Sequence, residues 1–172
     1  NNNIPFSWSP TRYQQVFFGF EISSLPINIQ ALALRQDNQF GGFAGATVTL
    51  EIKVGDTTLT PATLTNTDAN NLNLTPPTTV LPLSSVVLPV MPPSNQNPAE
   101  FFLGFPFAVP FPFGAIPSRN LVVDVRQTGN SNGNSIFSYP LYAVSGGNTT
   151  RLYGFPDTAL TGTLGVNYGL VM

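Results

Sequence analysis

Residues 47–54 read TVTLEIKV, and this stretch decides the fold because apolar and polar side chains alternate at every position. Successive side chains of a β-strand point to opposite faces of the sheet, so a two-residue period marks a strand with one buried face. The stretch predicts such a strand, with Glu51 and Lys53 side by side on its solvent face and a turn at Gly55-Asp56.

Four further segments show the same period: residues 16–22, 27–33, 121–125 and 164–172. Leu32 and Leu34 make the second half of the segment at residues 27–34 apolar on both faces, which is typical of a central strand covered on both sides. The 17 Pro and 15 Gly residues leave no room for a long helix. Together the segments predict an all-β protein, an antiparallel β-sandwich or jelly-roll-like single domain.

The composition fits one domain with an uncharged surface. Of the 172 residues, 42% are hydrophobic and 8% are charged, against about 25% charged in typical soluble domains. A net charge of −2 argues against nucleic acid as a partner, since binding it requires a basic surface, and it gives little repulsion between copies. We expect an N-terminal extended segment at residues 1–10, able to donate a strand to a neighbour, followed by the sandwich at residues 11–172.

Residues 101–113, FFLGFPFAVPFPF, place an apolar side chain at every second position. Pro106, Pro110 and Pro112 occupy the other face, and proline cannot donate a hydrogen bond to a neighbouring strand. The segment therefore predicts an edge strand or a polyproline-like extension. Its aromatic side either covers the end of the sandwich core or forms a docking strip for another subunit or a ligand. The candidates for self-association come from this strip and the last strand: Phe101, Phe105, Phe107, Phe111, Phe113, Leu164, Val166, Tyr168 and Leu170.

Residue types that commonly carry catalysis are scarce. The chain has no His and no Cys, which excludes His-assisted nucleophiles and removes the commonest metal ligand. No phosphate-binding glycine motif is present. A pair of carboxylates could still cleave glycosidic bonds, but no pair of the eight acidic residues stands in apolar surroundings. We expect no enzyme activity, no catalytic residue and no cofactor.

Two weaker ligand sites can be read from the sequence. Asn66, Asp68 and Asn70 alternate like the start of a calcium loop, but the glycine and the distal glutamate of that motif are missing. An Asx-rich turn explains the same residues with fewer assumptions, so we expect no metal. Trp8 lies between two prolines near the terminus and is the residue most expected to be exposed, which makes it a candidate for stacking against a sugar ring.

Several features predict an exported protein. No apolar run approaches the roughly 18 residues that a membrane-spanning helix needs. The low charge, the richness in Asn and Thr, and a first residue, Asn1, that is not Met favour a secreted or cell-surface location.

Four short phrases are similar to a known group of proteins: TRYQQV at residues 11–16, IQALALRQD at 29–37, NLVVDVR at 120–126 and YGLV at 168–171. They resemble secreted bacterial proteins, abundant in planctomycetes and related lineages, many of which are hypothetical proteins or carry a C-terminal sorting signal. The resemblance implies export and a β-sandwich, and it implies no known activity. The sequence ends at Met172 without a sorting tail, so the mode of anchoring stays open.

Two functions are compatible with these observations. The first is an extracellular structural protein, such as a filament, sheath or matrix subunit, that forms a homo-oligomer or polymer through its sheet edges and the Pro/Phe-rich strip. The alternative is a carbohydrate- or surface-binding module on the same fold, with a polysaccharide as partner and Trp8 or a pair of Tyr as the platform.

Overall fold

The computed structural model describes residues 4–37, 42–114, 119–132 and 141–172, and within these ranges the chain is built almost entirely of strands. No helix in the described ranges has the length and apolar character needed to cross a membrane. The strands are β1 (Thr11–Phe17), β2 (Ile27–Arg35), β3 (Ala46–Thr57), β4 (Thr78–Leu88), β5 (Phe101–Phe113), β6 (Asn120–Asn130), β7 (Ala143–Gly154) and β8 (Thr163–Leu170). The helical elements are single turns: α1 (Gly19–Ile22), a 3₁₀ turn (Pro61–Thr63) and α2 (Asp68–Asn71).

Two antiparallel sheets face each other across one core. The larger sheet has the order β4-β3-β6-β1-β7-β8, and the smaller one consists of β2 and β5. Every strand pair within the sheets is antiparallel. This architecture confirms the predicted all-β antiparallel sandwich.

β3 shows why the alternating pattern is a strong signal. The side chains of Val48, Leu50, Ile52 and Val54 are at most 1% exposed and lie in the core. Ile52 and Val54 sit opposite Val125 and Val123 of β6. The predicted turn at Gly55-Asp56 is wrong, because both residues continue the ladder with β6 and the strand ends only at Thr57. A partner strand that is distant in sequence supplies the hydrogen bonds that a local turn would otherwise have satisfied.

β2 is not the central strand that its apolar residues suggest. Within the sheets of the described chain it pairs with β5 alone, and its other side meets residues 141–142 and 171 only at Arg35 and Gln36. Leu32 and Leu34 are buried, whereas Ile27 is 37% exposed. At the end of the strand the even-numbered residues therefore point into the core. The strand is not covered on both sides, contrary to the expectation of a central strand.

The predicted stripe over residues 16–22 is also wrong beyond Phe17. β1 ends there, and α1 begins at Gly19, where an added Cβ would lie 2.1 Å from the carbonyl oxygen of Arg119. The backbone approaches β6 so closely that only glycine fits, and the Gly19 N–H donates to Asn120 Oδ1 at 2.9 Å. Phe20 is consequently turned outward and is 74% exposed.

The N-terminal segment belongs to the sandwich. We expected an extended arm at residues 1–10, but residues 4–10 form turns and bends. Ile4 and Phe6 are buried in the main core, with the Phe6 ring 5.7 Å from that of Phe105. The Asn130 side-chain amide donates to the Phe6 carbonyl at 2.6 Å. In this fold, residues 4–6 fill their own chain's core and are not presented for donation to a neighbour.

The outer face of the larger sheet is partly covered by residues 58–77. A small apolar cluster holds this cover in place: Val16, Leu64, Val122 and Leu152, with Leu72 and Leu164 packed against it. Next to the cluster, the same face carries the polar site described below.

Candidate functional site

The charged residues of this chain are concentrated on one surface. Three of the six basic and four of the eight acidic residues lie together on the outer face of the larger sheet. They are Arg12, Lys53, Arg126, Glu51, Asp68, Asp124 and Asp157. We call these seven residues the outer charged cluster.

Strand register creates the cluster by placing opposite charges across from each other. Glu51 of β3 lies opposite Arg126 of β6. Two residues further along the same strand pair, Lys53 lies opposite Asp124. Opposite charges in facing positions stabilise a sheet, and like charges in those positions destabilise it. Arg126 also faces Arg12 of β1, and this repulsive pairing requires acidic partners for both residues.

Asp124 and Asp157 supply those acidic partners. Arg12 holds Asp124 in a two-pronged interaction, with Nε donating to Oδ1 at 3.0 Å and Nη2 donating to Oδ2 at 2.6 Å. Arg126 Nε donates to Asp157 Oδ2 at 2.7 Å. Asp124 is buried, although its position among alternating apolar residues of β6 is typical of a solvent-facing side chain: it is 3% exposed and also accepts a hydrogen bond from Gln14 Nε2 at 3.1 Å.

Asp68 joins the cluster from the covering segment. Its Oδ2 lies 3.3 Å from Arg12 Nη1, and burial raises its pKa to about 6 in spite of the opposing effect of Arg12. Of the three calcium candidates, only Asp68 is buried, while Asn66 and Asn70 are exposed. Within the described ranges, no three acidic residues are arranged to hold a metal ion. Asp68 thus serves the ion-pair network of Arg12 in this structure.

A pocket of about 300 Å³ opens over the cluster. Its lining consists of Arg12, Glu51, Lys53, Asp124, Arg126, Asp157 and Thr158. The third ion pair of the lining joins Lys53 Nζ to Glu51 Oε1 at 3.1 Å. Each carboxylate of the lining is matched by a basic partner, so the pocket offers hydrogen-bond donors and acceptors in balance.

An exposed aromatic pair lies close to the end of β7. Trp8 is 48% exposed, and its ring centroid lies 5.6 Å from that of Phe155, which is 45% exposed. Phe155 is followed two residues later by Asp157, which lines the pocket. The exposure of Trp8 agrees with its position near the terminus, whereas Phe155 was not singled out from the sequence.

The predicted self-association strip is divided between core and surface. Phe105, Phe111 and Phe113 are buried, and Phe107 packs partly against the core. Phe101 is 47% exposed. β5 is confirmed as a strand that pairs on one side only, because β2 is its only partner within the sheets of the described chain.

The last strand is divided in the same way. β8 is the outermost strand of the larger sheet. Its alternation breaks at Asn167, whose φ of 55° lies in the left-handed region. Val166 is 65% exposed and Leu170 is buried, while Leu164 and Tyr168 are half-buried.

An apolar groove of about 250 Å³ lies beside β2, between the two sheets. Ile29 and Ala31 of β2 line one side, and Val54 and Val123 of the larger sheet line the other. The groove borders the side of β2 on which residues 27–34 pair with no strand in the described ranges. It therefore combines apolar surface with unpaired backbone groups.

Comparison with known proteins identifies no relative of this chain. No protein-family model matches it, and neither a curated protein nor a solved structure resembles it at a significant level. The resemblance of the four sequence phrases therefore stays a prediction, and the function has to be inferred from the chain's own geometry.

Proposed function

We propose that this protein is an extracellular structural protein that associates with further copies of itself through exposed sheet edges. The observation that carries the proposal concerns the strands that border the two sheets, which are β2, β4, β5 and β8 in the described chain. These four strands contain a single charged residue, Arg35. Its guanidinium lies 4.4 Å from the centre of the Phe101 ring and donates to the Ala99 carbonyl at 2.8 Å.

Edge strands without charge are unusual in proteins that remain monomeric. An edge presents unpaired N–H and C=O groups, and natural monomers guard it with lysine, proline, bulges or a covering segment. β4 and β5 contain internal prolines, whereas β2 and β8 contain neither proline nor an acidic side chain. Of these two, β2 has the apolar groove beside it.

The edge of β2 offers an incoming strand two sources of affinity. Main-chain hydrogen bonds would extend the β2–β5 sheet, and alternate side chains of the incoming strand would enter the groove beside Ile29 and Ala31. Covering an apolar groove removes its surface from water, which favours association. A net charge of −2 on the whole chain opposes this association only weakly.

The extracellular part of the proposal is supported by composition. A polymer that works outside the cell needs a polar exterior, and here 8% charged residues leave that task to Asn, Thr, Ser and Gln. The absence of Cys removes thiol chemistry from a surface that would meet oxidising conditions.

Sedimentation velocity over a range of concentrations tests the proposal. Ala31→Lys places a charge at the β2 edge and in the groove, and Ala62→Lys makes the same change at an exposed position of the 3₁₀ turn, outside the sheets. We expect the wild-type protein and A62K to form assemblies, and A31K to need at least about tenfold higher concentration, a difference of about 1.4 kcal/mol in association free energy. Wild-type protein that stays monomeric, or A31K that assembles like wild type, would overturn the proposal.

A further inference from the structure

We propose that Trp8, Phe155 and the pocket of the outer charged cluster form a binding site for a neutral saccharide. This site lies apart from the β2 groove, and it does not depend on self-association. The inference rests on three observations: two exposed aromatic rings in contact, polar groups on the adjoining turn, and balanced charge in the pocket.

The aromatic pair is the first observation. Trp8 and Phe155 are each nearly half exposed, with ring centroids 5.6 Å apart and planes inclined at 50°. The Tyr153 ring packs edge-on against the Phe155 ring, with the centroids 6.2 Å apart. Aromatic faces exposed in this way match the C–H faces of sugar rings, which are apolar although the rim of hydroxyl groups is polar.

The turn after β7 is the second observation, because it connects the rings to polar groups. Asp157 follows Phe155 by two residues, so their Cα atoms are at most about 7 Å apart. Asp157 accepts one hydrogen bond from Arg126 Nε, and a carboxylate has about four acceptor positions. Thr158 adds a hydroxyl to the same lining. A sugar ring on the aromatic pair could therefore direct its hydroxyl groups toward charged donors and acceptors.

The charge of the pocket is the third observation, and it determines the class of ligand. The three basic residues of the lining are matched by three acidic ones: Arg12, Lys53 and Arg126 against Glu51, Asp124 and Asp157. A phosphorylated, sulfated or uronic ligand gains no net Coulomb attraction from such a lining. Neutral hydroxyl groups can both donate and accept, and they satisfy both signs without leaving a buried charge unpaired.

Trp8 is the only tryptophan in the chain, so its fluorescence reports directly on this site. The probes are insoluble cellulose and chitin in pull-down assays, and soluble xylan, dextran and heparin in fluorescence titrations. We expect at least one neutral polysaccharide to bind, with a change in Trp8 emission if it is soluble, and heparin to bind no better than it does.

Three variants connect binding to the site. Phe155→Ala and Asp157→Asn should each weaken binding by about tenfold or more, whereas Phe20→Ala removes a phenylalanine that is 74% exposed elsewhere and should leave binding unchanged. Thermal melting of each variant shows that it is folded. If no neutral polysaccharide binds, if heparin binds better than all of them, or if F155A and D157N bind like wild type, the saccharide site does not exist.

The A31K variant separates the saccharide site from the proposed self-association through the β2 edge. A31K should bind the same polysaccharide with unchanged affinity even when it no longer assembles, because Ala31 lies in the β2 groove and is absent from the pocket lining. If monomeric A31K did not bind the polysaccharide, binding by the wild-type protein would depend on its assembly. That result would contradict the site proposed here.

Discussion

At the scale of single residues, Asp68 shows how a buried position changes side-chain chemistry. Burial raises its pKa from 3.8 to about 6, and the nearby Arg12 offsets only part of that shift. The folded state therefore binds the proton of Asp68 more tightly than the unfolded chain does. The stabilising contribution of that proton is complete below a pH near 4, and it is lost as the pH rises through about 6.

We predict that Asp68→Asn flattens this pH dependence. The amide cannot ionise, so the variant avoids the cost of burying a charge and should be about 1–2 kcal/mol more stable than wild type at pH 7, with a smaller difference at pH 4. Urea unfolding at several pH values measures the effect. A variant that is less stable than wild type at pH 7 would show that the Arg12 ion pair outweighs the desolvation of Asp68.

Two acidic residues in the same cluster should differ in importance because their burial differs. Asp124→Asn removes the charge of a side chain that is 3% exposed and replaces one of the two oxygens that accept from Arg12 with an NH2 group, which should cost about 2–4 kcal/mol. Glu51→Gln removes a more exposed partner of Lys53 and should cost less than about 1 kcal/mol. The free energy of unfolding from urea titration measures both, and equal losses would contradict the structural role given to Asp124.

The cluster itself could not be predicted from sequence. Arg12, Asp124 and Asp157 belong to three separate segments, and only the register of β1 with β6 and the turn after β7 brings them together. Glu51 and Lys53 were foreseen as neighbours because a two-residue spacing on one strand is a local property.

At the scale of elements, prediction succeeded where the burial pattern of a strand is simple. β3 has one apolar and one polar face, and its sequence shows both. β2 is apolar on both faces at its end, a pattern shared by central strands and by edge strands that border a groove. The end of β1 at Phe17 depends on the contact between Gly19 and Arg119, which no local pattern reveals.

The N-terminal segment gives a prediction at this scale. Phe6 is buried in the core and Trp8 is half exposed, although they are two residues apart. Phe6→Ala should therefore reduce the free energy of unfolding by about 3–5 kcal/mol, and Trp8→Ala should reduce it by less than about 1 kcal/mol. Denaturant unfolding compares the two variants. Similar small losses in both would mean that residues 4–6 contribute little to the core, as expected of the extended segment predicted at residues 1–10.

At the scale of the whole molecule, charge is distributed unevenly. Half of the charged residues occupy the outer face of the larger sheet, and the border strands carry almost none. Charge on that outer face disfavours stacking of the sandwich through it, whereas the residues of β2 that line the groove carry no charged side chain. This distribution supports the proposal that copies associate through their sheet edges and not through the outer face.

Hydrogen–deuterium exchange in dilute and concentrated protein tests edge association most directly. The amides of residues 27–33 that point away from β5 should exchange more slowly at high concentration, while amides in the centre of β3 should be protected equally at both concentrations. If the protein assembles and these β2 amides still exchange as fast as in the dilute sample, the β2 edge is not the interface. If concentration changes neither exchange nor size, the protein does not self-associate.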